Sequence, residues 1–363
     1  MIDPAAPASP PGPRGKFPLT WRNLLLVALP LSWAFAAFHL SGPVIFIAAS
    51  LAVLPLAGYM GEATEHLAAR TGPGIGGLLN ATFGNMAELI IATVALRAGL
   101  VDLVKASITG SILGNLLLIL GLSLIAAGLK KPEFRFNRTA AGMSAAMLAL
   151  AVIGLVFPAL FHGLHPEASE DFRLSEAVAV ILAITYLFSL LFSLKTHRRL
   201  FGGEPHPTTG VTWPVRRAVL ILALATVGVA IESEILVHAV EGVTASLGVS
   251  ETFLGLMIIP LIGNAAEHSA AVMVARKGQV DLALQIALGS STQIALFVAP
   301  FLVAVGLVFG QPMNLVFSPF EVIAIGLSTL VVAIITLDGE SHWFEGVQLL
   351  AVYAMVGAAA LFI

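Results

Sequence analysis

Gly-Asn-Met-Ala-Glu at residues 84–88 returns as Gly-Asn-Ala-Ala-Glu at residues 263–267, 179 positions further along the chain. Each copy lies inside an apolar run that is long enough to cross a bilayer. A charged side chain at the bilayer centre costs about 2.5–3.5 kcal/mol or more on insertion scales. One such glutamate could be an accident of packing, but two in the same context indicate a site built from two halves of an internal repeat.

The similarity extends beyond the two pentapeptides. Without gaps, 13 of 38 positions are identical between residues 84–121 and 263–300, several times more than this biased composition would give by chance. The identical pairs include Gly84/Gly263, Asn85/Asn264, Glu88/Glu267, Arg97/Arg276, Gly99/Gly278, Asp102/Asp281, Gly110/Gly289 and Ser111/Ser290.

The composition is that of a polytopic membrane protein. Hydrophobic residues make up 58% of the 363 residues, charged residues only 11%, and the mean hydropathy is +0.96. A soluble domain has about 25% charged residues. Because the chain has no cysteine, disulfides and thiolate metal sites are excluded. The sequence contains neither a phosphate-binding loop nor a His-Glu-x-x-His motif, either of which would indicate an enzyme. We therefore expect a transporter that is surrounded by the lipid bilayer and has no cofactor and no nucleic-acid partner.

Eleven apolar runs approach the roughly 20 residues that a spanning helix needs. They fall near residues 23–40, 43–65, 75–97, 104–128, 139–161, 174–195, 215–238, 252–275, 281–308, 319–337 and 343–363. Turn-forming residues separate several of them, notably Thr71-Gly72-Pro73-Gly74 and Gly202-Gly203-Glu204-Pro205.

The basic residues predict the orientation of these spans. With a cytosolic N-terminus and eleven spans, 15 of the 18 lysines and arginines fall in cytosolic segments, and only Arg97, Lys105 and Arg173 fall outside. This asymmetry follows the positive-inside rule and places the C-terminus outside. We therefore expect a multi-pass membrane protein, and the absence of a long N-terminal regulatory tail favours the inner membrane of a prokaryote.

The repeat and the span count together predict the architecture. We expect an all-α membrane protein in which a first helix is followed by two inverted five-helix repeats, helices 2–6 and 7–11. Five is an odd number, so the copies insert with opposite orientations, as in many transporters. The predicted segments are a disordered cytosolic tail (1–22), helix 1 (23–40), the first repeat (43–195), a cytosolic linker (196–214) and the second repeat (215–363).

The repeated motif predicts a cation site. Asn and Glu are three residues apart and share one helix face. The preceding glycine favours a break in the helix, which would free backbone carbonyl groups. Carboxylates, amide oxygens and carbonyls form the hard oxygen cage that Ca²⁺ prefers. The predicted metal-binding residues are Gly84, Asn85, Glu88, Ser111, Gly263, Asn264, Glu267, Ser290 and Gln293.

Other polar residues on the spans are less specific. Ser107 and Thr292 fit a packing role in close helix contacts better than a ligand role. Four carboxylates could line a proton or cation path, or could simply face water at helix ends: Glu62, Glu65, Glu234 and Glu241.

These residues resemble the cation/proton exchanger family of the calcium/cation antiporter superfamily. Residues 84–91 resemble its first consensus repeat, and residues 263–268 with 289–296 resemble its second. The resemblance implies Ca²⁺/H⁺ antiport and calcium held between the two repeat glutamates. Many members share an acidic helix between helices 6 and 7, but here the segment 195–217 is basic apart from Glu204, so a calcium-sensing role for this segment is not expected.

We therefore expect a secondary antiporter that exports Ca²⁺ against inward proton flow, with Ca²⁺ as substrate. The same oxygen cage could instead serve Na⁺/H⁺ or K⁺/H⁺ antiport. A passive cation channel is the alternative from another class, and flux that needs no proton gradient would identify it. The charges indicate the mechanism: two ionised glutamates neutralise one Ca²⁺, and the same two groups, once protonated, release it.

Overall fold

A computed structural model describes residues 21–129, 131–165, 168–197 and 213–363. Most of the predicted N-terminal tail and most of the predicted 196–214 linker lie outside the described residues. Twelve helices and two short strands, β1 (Glu133–Arg135) and β2 (Glu340–His342), make up the described fold. The helices are α1 Arg22–Ala37, α2 Gly42–Phe83, α3 Met86–Arg97, α4 Val101–Gly128, α5 Arg138–Leu164, α6 Glu170–Thr196, α7 Val215–Leu247, α8 Glu251–Gly263, α9 Ala265–Arg276, α10 Val280–Phe309, α11 Pro319–Ile335 and α12 Trp343–Ala360.

Many of these helices are long and apolar enough to cross a membrane. Within the described residues, seven meet that test by length and composition, and α8 with α9, bent by 63° at their junction, would form an eighth span. Helices α1 and α11 are apolar but shorter. The chain is therefore an all-helical multi-pass membrane protein apart from the two strands, and the count of eleven spans remains a prediction.

Helix α2 turns back on itself where the sequence predicts a break. An ideal Cβ atom on Gly76 would lie 2.5 Å from the carbonyl oxygen of Ala68. Two residues that are eight positions apart on a straight helix are separated by about 12 Å. The chain must therefore reverse direction between Ala68 and Gly76. The predicted turn at residues 71–74 lies between them, and the second limb of α2 then leads to the first repeated motif.

The two halves of the chain break their helices at matching positions. Helix α3 begins at Met86 and ends at Arg97, and α9 begins and ends 179 residues later. Gly99 and Gly278 follow them with φ angles of 83° and 88°, a conformation that glycine adopts without strain. Such matched geometry supports the predicted repeat.

Glycines allow α4 and α8 to pack with their backbones in contact. A Cβ atom on Gly255 would lie 2.6 Å from the carbonyl oxygen of Leu103, and one on Gly110 would overlap the carbonyl of Leu256. Gly110 thus has the packing role that small residues have between membrane helices. Gly114, four residues further along α4, has no such contact, because no heavy atom lies within 4 Å of the position of its Cβ.

The first helix includes the last residue of the predicted tail. Arg22 is helical rather than disordered, because its guanidinium pairs with the Glu62 carboxylate at 2.5 Å and lies 4.2 Å from the Tyr59 ring. Deeper in the helix, Ser32 and Trp33 donate hydrogen bonds to Glu232 of α7 at 3.0 and 2.7 Å. Helix α1 is thus joined to α2 by an ion pair and to α7 by two hydrogen bonds.

Contacts between connecting segments join parts of the chain that the predicted topology places on one side. Strands β1 and β2 pair antiparallel, with Arg135 and Glu340 2.6 Å apart, and both belong to predicted cytosolic loops. On the predicted outer side, Lys105 donates to Asn314 at 2.5 Å. The amino-acid sequence does not predict this strand pair, because three-residue strands carry no periodic signal.

Candidate functional site

The site lies where two broken helices meet. The chain leaves helical geometry at Asn85 (φ −93°, ψ 19°) and at Asn264 (φ −97°, ψ 6°), and helices α3 and α9 begin at the next residue. Glu88 and Glu267 therefore both occupy the first helical turn. The positive end of a helix dipole lies there and favours a negative charge on each glutamate.

Each glycine of the repeated motif packs against the glutamate of the other copy. A Cβ atom on Gly84 would lie 3.0 Å from Glu267 Oε1, and one on Gly263 would lie 2.7 Å from Glu88 Cγ. The breaks are therefore crossed, with each glutamate side chain lying over the opposite break. We refer to this arrangement as the crossed motif.

Glu88 is held by two donors from other helices. Its Oε1 accepts hydrogen bonds from the Ser111 hydroxyl of α4 and from the Asn264 side-chain amide of the second motif. The Glu88 side chain is buried, and so are both donors. A buried carboxylate needs such charge-assisted bonds, because its loss of hydration is otherwise uncompensated.

A second set of hydrogen bonds joins Asn85 to α10. The Asn85 amide donates to Gln293 Oε1 at 2.7 Å, while its Oδ1 accepts from the Ser290 hydroxyl at 3.0 Å. Asn115 of α4 in turn donates to Ser290 Oγ at 3.1 Å. The two sets of bonds include six of the seven polar side chains that the sequence predicts for the cage, and Asn115 joins them. The seventh, Glu267, lies against Gly84.

Three buried oxygen atoms of this site have no hydrogen-bond partner: Glu88 Oε2, Glu267 Oε2 and Asn264 Oδ1. Each is a pure acceptor, and an unsatisfied buried acceptor is costly and rare in folded proteins. All three are ligand types that a hard cation prefers. Within the described residues no cluster of three or more His, Asp or Glu side chains could hold a metal ion, so the two carboxylates would act with amide oxygens.

A cavity reaches the site from one side. A cavity of about 500 Å³ extends from Arg22, Glu62 and Glu65 to Glu267 and the two motif glycines. Glu88 does not line it. Glu88 instead borders a void of about 10 Å³, room for at most about one water molecule. The site is therefore connected to the rim that carries Arg22, the predicted cytosolic side.

Two predicted packing residues have that role. The Ser107 hydroxyl donates to its own helix at Val104 O, 2.8 Å away, and Thr292 donates to Leu288 O at 2.8 Å. Such bonds satisfy the hydroxyl protons within the helix, which agrees with a packing role.

The four carboxylates that could line a proton or cation path fall into two pairs. Glu62 and Glu65 line the cavity, although Glu62 is paired with Arg22. Glu234 and Glu241 are not brought to the site. Glu234 pairs with Arg97 at 3.0 Å, and Glu241 is exposed at the far end of α7.

Three further buried polar groups lie near these helices. Asn115 bonds Ser290 directly, and its spacing of four residues from Ser111 places both on one face of α4. His268, next to Glu267, is buried with an unpaired Nε2. Glu232 is fully buried against α1 and away from the crossed motif, which its position in α7 alone could not reveal.

Comparisons with known proteins find relatives over almost the whole chain. The family model described as sodium/calcium exchanger protein matches residues 41–195 and 217–362. A Ca(2+)/H(+) antiporter of Synechocystis sp. is 44% identical over 358 residues, covering 93% of this chain and 96% of that protein. One of Aphanothece halophytica is 46% identical over 355 residues, covering 93% and 95%. The solved structure of native YfkE superimposes with a TM-score of 0.83 at 38% identity, covering 94% of this chain and all of that one.

Proposed function

Because this chain belongs to the sodium/calcium exchanger protein family, we propose that it is a Ca²⁺/H⁺ antiporter whose crossed motif holds either calcium or protons. Relatives named Ca(2+)/H(+) antiporter match it over almost their full length. Calcium and protons are then its substrates, and its activity is transport rather than a chemical conversion.

The three unpaired oxygens carry the assignment of the site. Glu88 Oε2, Glu267 Oε2 and Asn264 Oδ1 are buried oxygen atoms from both halves of the chain, and a bound cation would give all three a partner. Two carboxylates also match the charge of one Ca²⁺. The hydrogen bonds from Ser111 and Asn264 hold Glu88 in place while its second oxygen remains free for the ion.

Coupling follows from competition for the same oxygens. With both glutamates ionised, the site binds one Ca²⁺ and is electrically neutral. With both protonated, it is again neutral but has lost its affinity for the cation. A site with one net charge or more is costly to move through a low-dielectric interior, so reorientation is favoured only when the site is fully loaded with either substrate.

We propose that the described conformation is open to the cytosol. The cavity rim includes Arg22 and Glu62, which the positive-inside rule places on the cytosolic side. The pairing of β1 with β2 and the Lys105–Asn314 bond each join segments that the eleven-span topology places together, which supports that topology and a C-terminus outside. Motion of one helix group past the other would expose Glu88 to the opposite side.

Proton-driven calcium flux tests the function. In proteoliposomes that are acid inside, we expect radioactive Ca²⁺ to accumulate against its gradient and to stop when an ionophore collapses the pH difference. Excess Na⁺ or K⁺ at the same ionic strength should not replace Ca²⁺ as the ion that drives proton efflux. Calcium flux that is independent of the pH gradient would indicate a channel instead.

We expect calcium binding to weaken as the pH falls from 8 to 5. Each carboxylate that must lose a proton to bind Ca²⁺ weakens the apparent affinity by at most about tenfold per pH unit in the range where it titrates. Because the two carboxylates share one ion, the titration will report the pair. Binding of the metal across pH in detergent, and acidification of a weak buffer on Ca²⁺ addition, measure this.

Glu176→Gln is the matched control for that titration, because Glu176 is exposed on α6 and away from the crossed motif. It should keep both the pH dependence and the proton release of the unmodified chain. Calcium affinity that stays constant across this pH range, with no acidification, would contradict competition between the substrates even if the protein transports calcium.

A further inference from the structure

A second cavity, of about 680 Å³, opens sideways between α3, α7 and α10. Its lining follows helical spacing on each of the three helices: residues 86, 89, 90, 93, 94 and 97 on α3; residues 227, 230, 231 and 234 on α7; and residues 301, 305 and 309 on α10. Except for Thr93, Arg97 and Glu234, these side chains are apolar. We call this cavity the lateral groove, and it is separate from the cavity that reaches Glu267.

The length of the lateral groove matches one leaflet of a bilayer. From Met86 to Arg97, eleven steps along α3 cover about 16 Å. The hydrocarbon core of a bilayer is about 30 Å thick, so this distance is close to half of it. Met86 belongs to the repeated motif near the middle of the membrane, which places Arg97 at the depth of the headgroups.

Charges of both signs stand together at that end of the groove. The Arg97 guanidinium and the Glu234 carboxylate are 3.0 Å apart, with side chains 65% and 36% exposed. The exposed His238 is one turn beyond, its Nδ1 2.6 Å from the Glu234 carbonyl oxygen. At the other end, the groove closes against Met86 and Leu89. An occupant must therefore be apolar along its length and polar at one end.

We propose that the lateral groove binds one acyl chain of a zwitterionic aminophospholipid, with the headgroup on Arg97 and Glu234. A guanidinium matches a phosphate in charge and in hydrogen-bond geometry. The carboxylate of Glu234 is suited to a primary ammonium group. An anionic headgroup without an amine would leave Glu234 facing a second negative charge. The lipid would contact α3 and α7 together, and α3 carries Glu88.

Lipid retention tests the proposal without measuring transport. The purified full chain is exchanged into mild detergent with equal amounts of phosphatidylethanolamine, phosphatidylcholine and phosphatidylglycerol of identical acyl chains, and bound lipids are counted by native mass spectrometry. We expect phosphatidylethanolamine to be retained preferentially. Arg97→Gln should reduce that retention by roughly fivefold. This factor corresponds to the contribution of about 1 kcal/mol that an exposed charge contact makes. Arg173→Gln, an exposed outer arginine on α6, should leave it unchanged.

A second pair of variants tests the groove itself. Ala230→Phe fills it and should reduce the retention of all three lipids, whereas Val219→Phe, on the exposed face of the same helix, should not. Equal retention in the unmodified chain, Arg97→Gln and Ala230→Phe would overturn the site. Preferential retention of phosphatidylglycerol would overturn the assigned headgroup.

Discussion

Replacing either repeat glutamate, by Glu88→Gln or Glu267→Gln, is expected to abolish proton-driven calcium exchange while leaving the fold intact. Glutamine keeps the size of the side chain and still accepts the hydrogen bonds that Ser111 and Asn264 donate to Glu88. It carries no charge for Ca²⁺ and has no exchangeable acid proton at this position. Each variant therefore loses half of the site charge and one coupling group. Calcium uptake into acid-loaded proteoliposomes, at equal protein content, is the measurement.

The control for this pair is Glu176→Gln, which removes an exposed carboxylate from α6. It should transport like the unmodified chain. Thermal unfolding in detergent separates loss of function from loss of structure, because all three variants should unfold at similar temperatures. Near-normal uptake by Glu88→Gln or Glu267→Gln would show that the crossed motif is not the ion site.

Gly263→Ala adds a methyl group at the helix break and is expected to reduce the exchange rate by about 100-fold. A misplacement of about 1 Å at a reacting site reduces rates by this order of magnitude. The new Cβ atom would lie 2.7 Å from Glu88 Cγ, closer than side-chain atoms approach one another. Glu88 would have to leave its donors. Uptake rates and calcium affinity should both fall, since the same oxygen atoms are displaced.

Gly289→Ala provides the matched comparison. Gly289 precedes Ser290 in α10 and lies close to the site, yet no heavy atom lies within 4 Å of the position of its Cβ. It should keep most of the activity. If Gly263→Ala also transported normally, the contact between each glycine and the opposite glutamate would have no functional importance.

Local sequence signals predicted the all-helical membrane fold, and the residues that they predicted for the site lie close together. Apolar runs locate spanning helices because a bilayer requires long uninterrupted hydrophobic segments. The 179-residue offset places Glu88 and Glu267 in equivalent positions, and the helices that follow the breaks begin and end at equivalent residues. Ser111, Ser290 and Gln293 also take part in the hydrogen-bond network, as the polar positions on their helices indicate.

What the sequence did not predict depends on packing between distant segments. The 179-residue spacing between the two motifs cannot show that Gly263 contacts Glu88 rather than Glu267, since both arrangements are consistent with the repeat. The pairing of Arg22 with Glu62 joins residues 40 positions apart and converts a predicted tail residue into the start of a helix. Likewise, nothing in the local pattern shows that Glu267 is accessible from a cavity while Glu88 is enclosed.

The crossed motif also constrains how this chain can evolve. A gene duplication normally frees one copy to change while the other keeps the original role. Here Gly84 leaves room for Glu267, and Gly263 leaves room for Glu88. A substitution of the glycine in one copy therefore disturbs the glutamate of the other copy. We therefore expect the two motifs to change less between related chains than the helices around them.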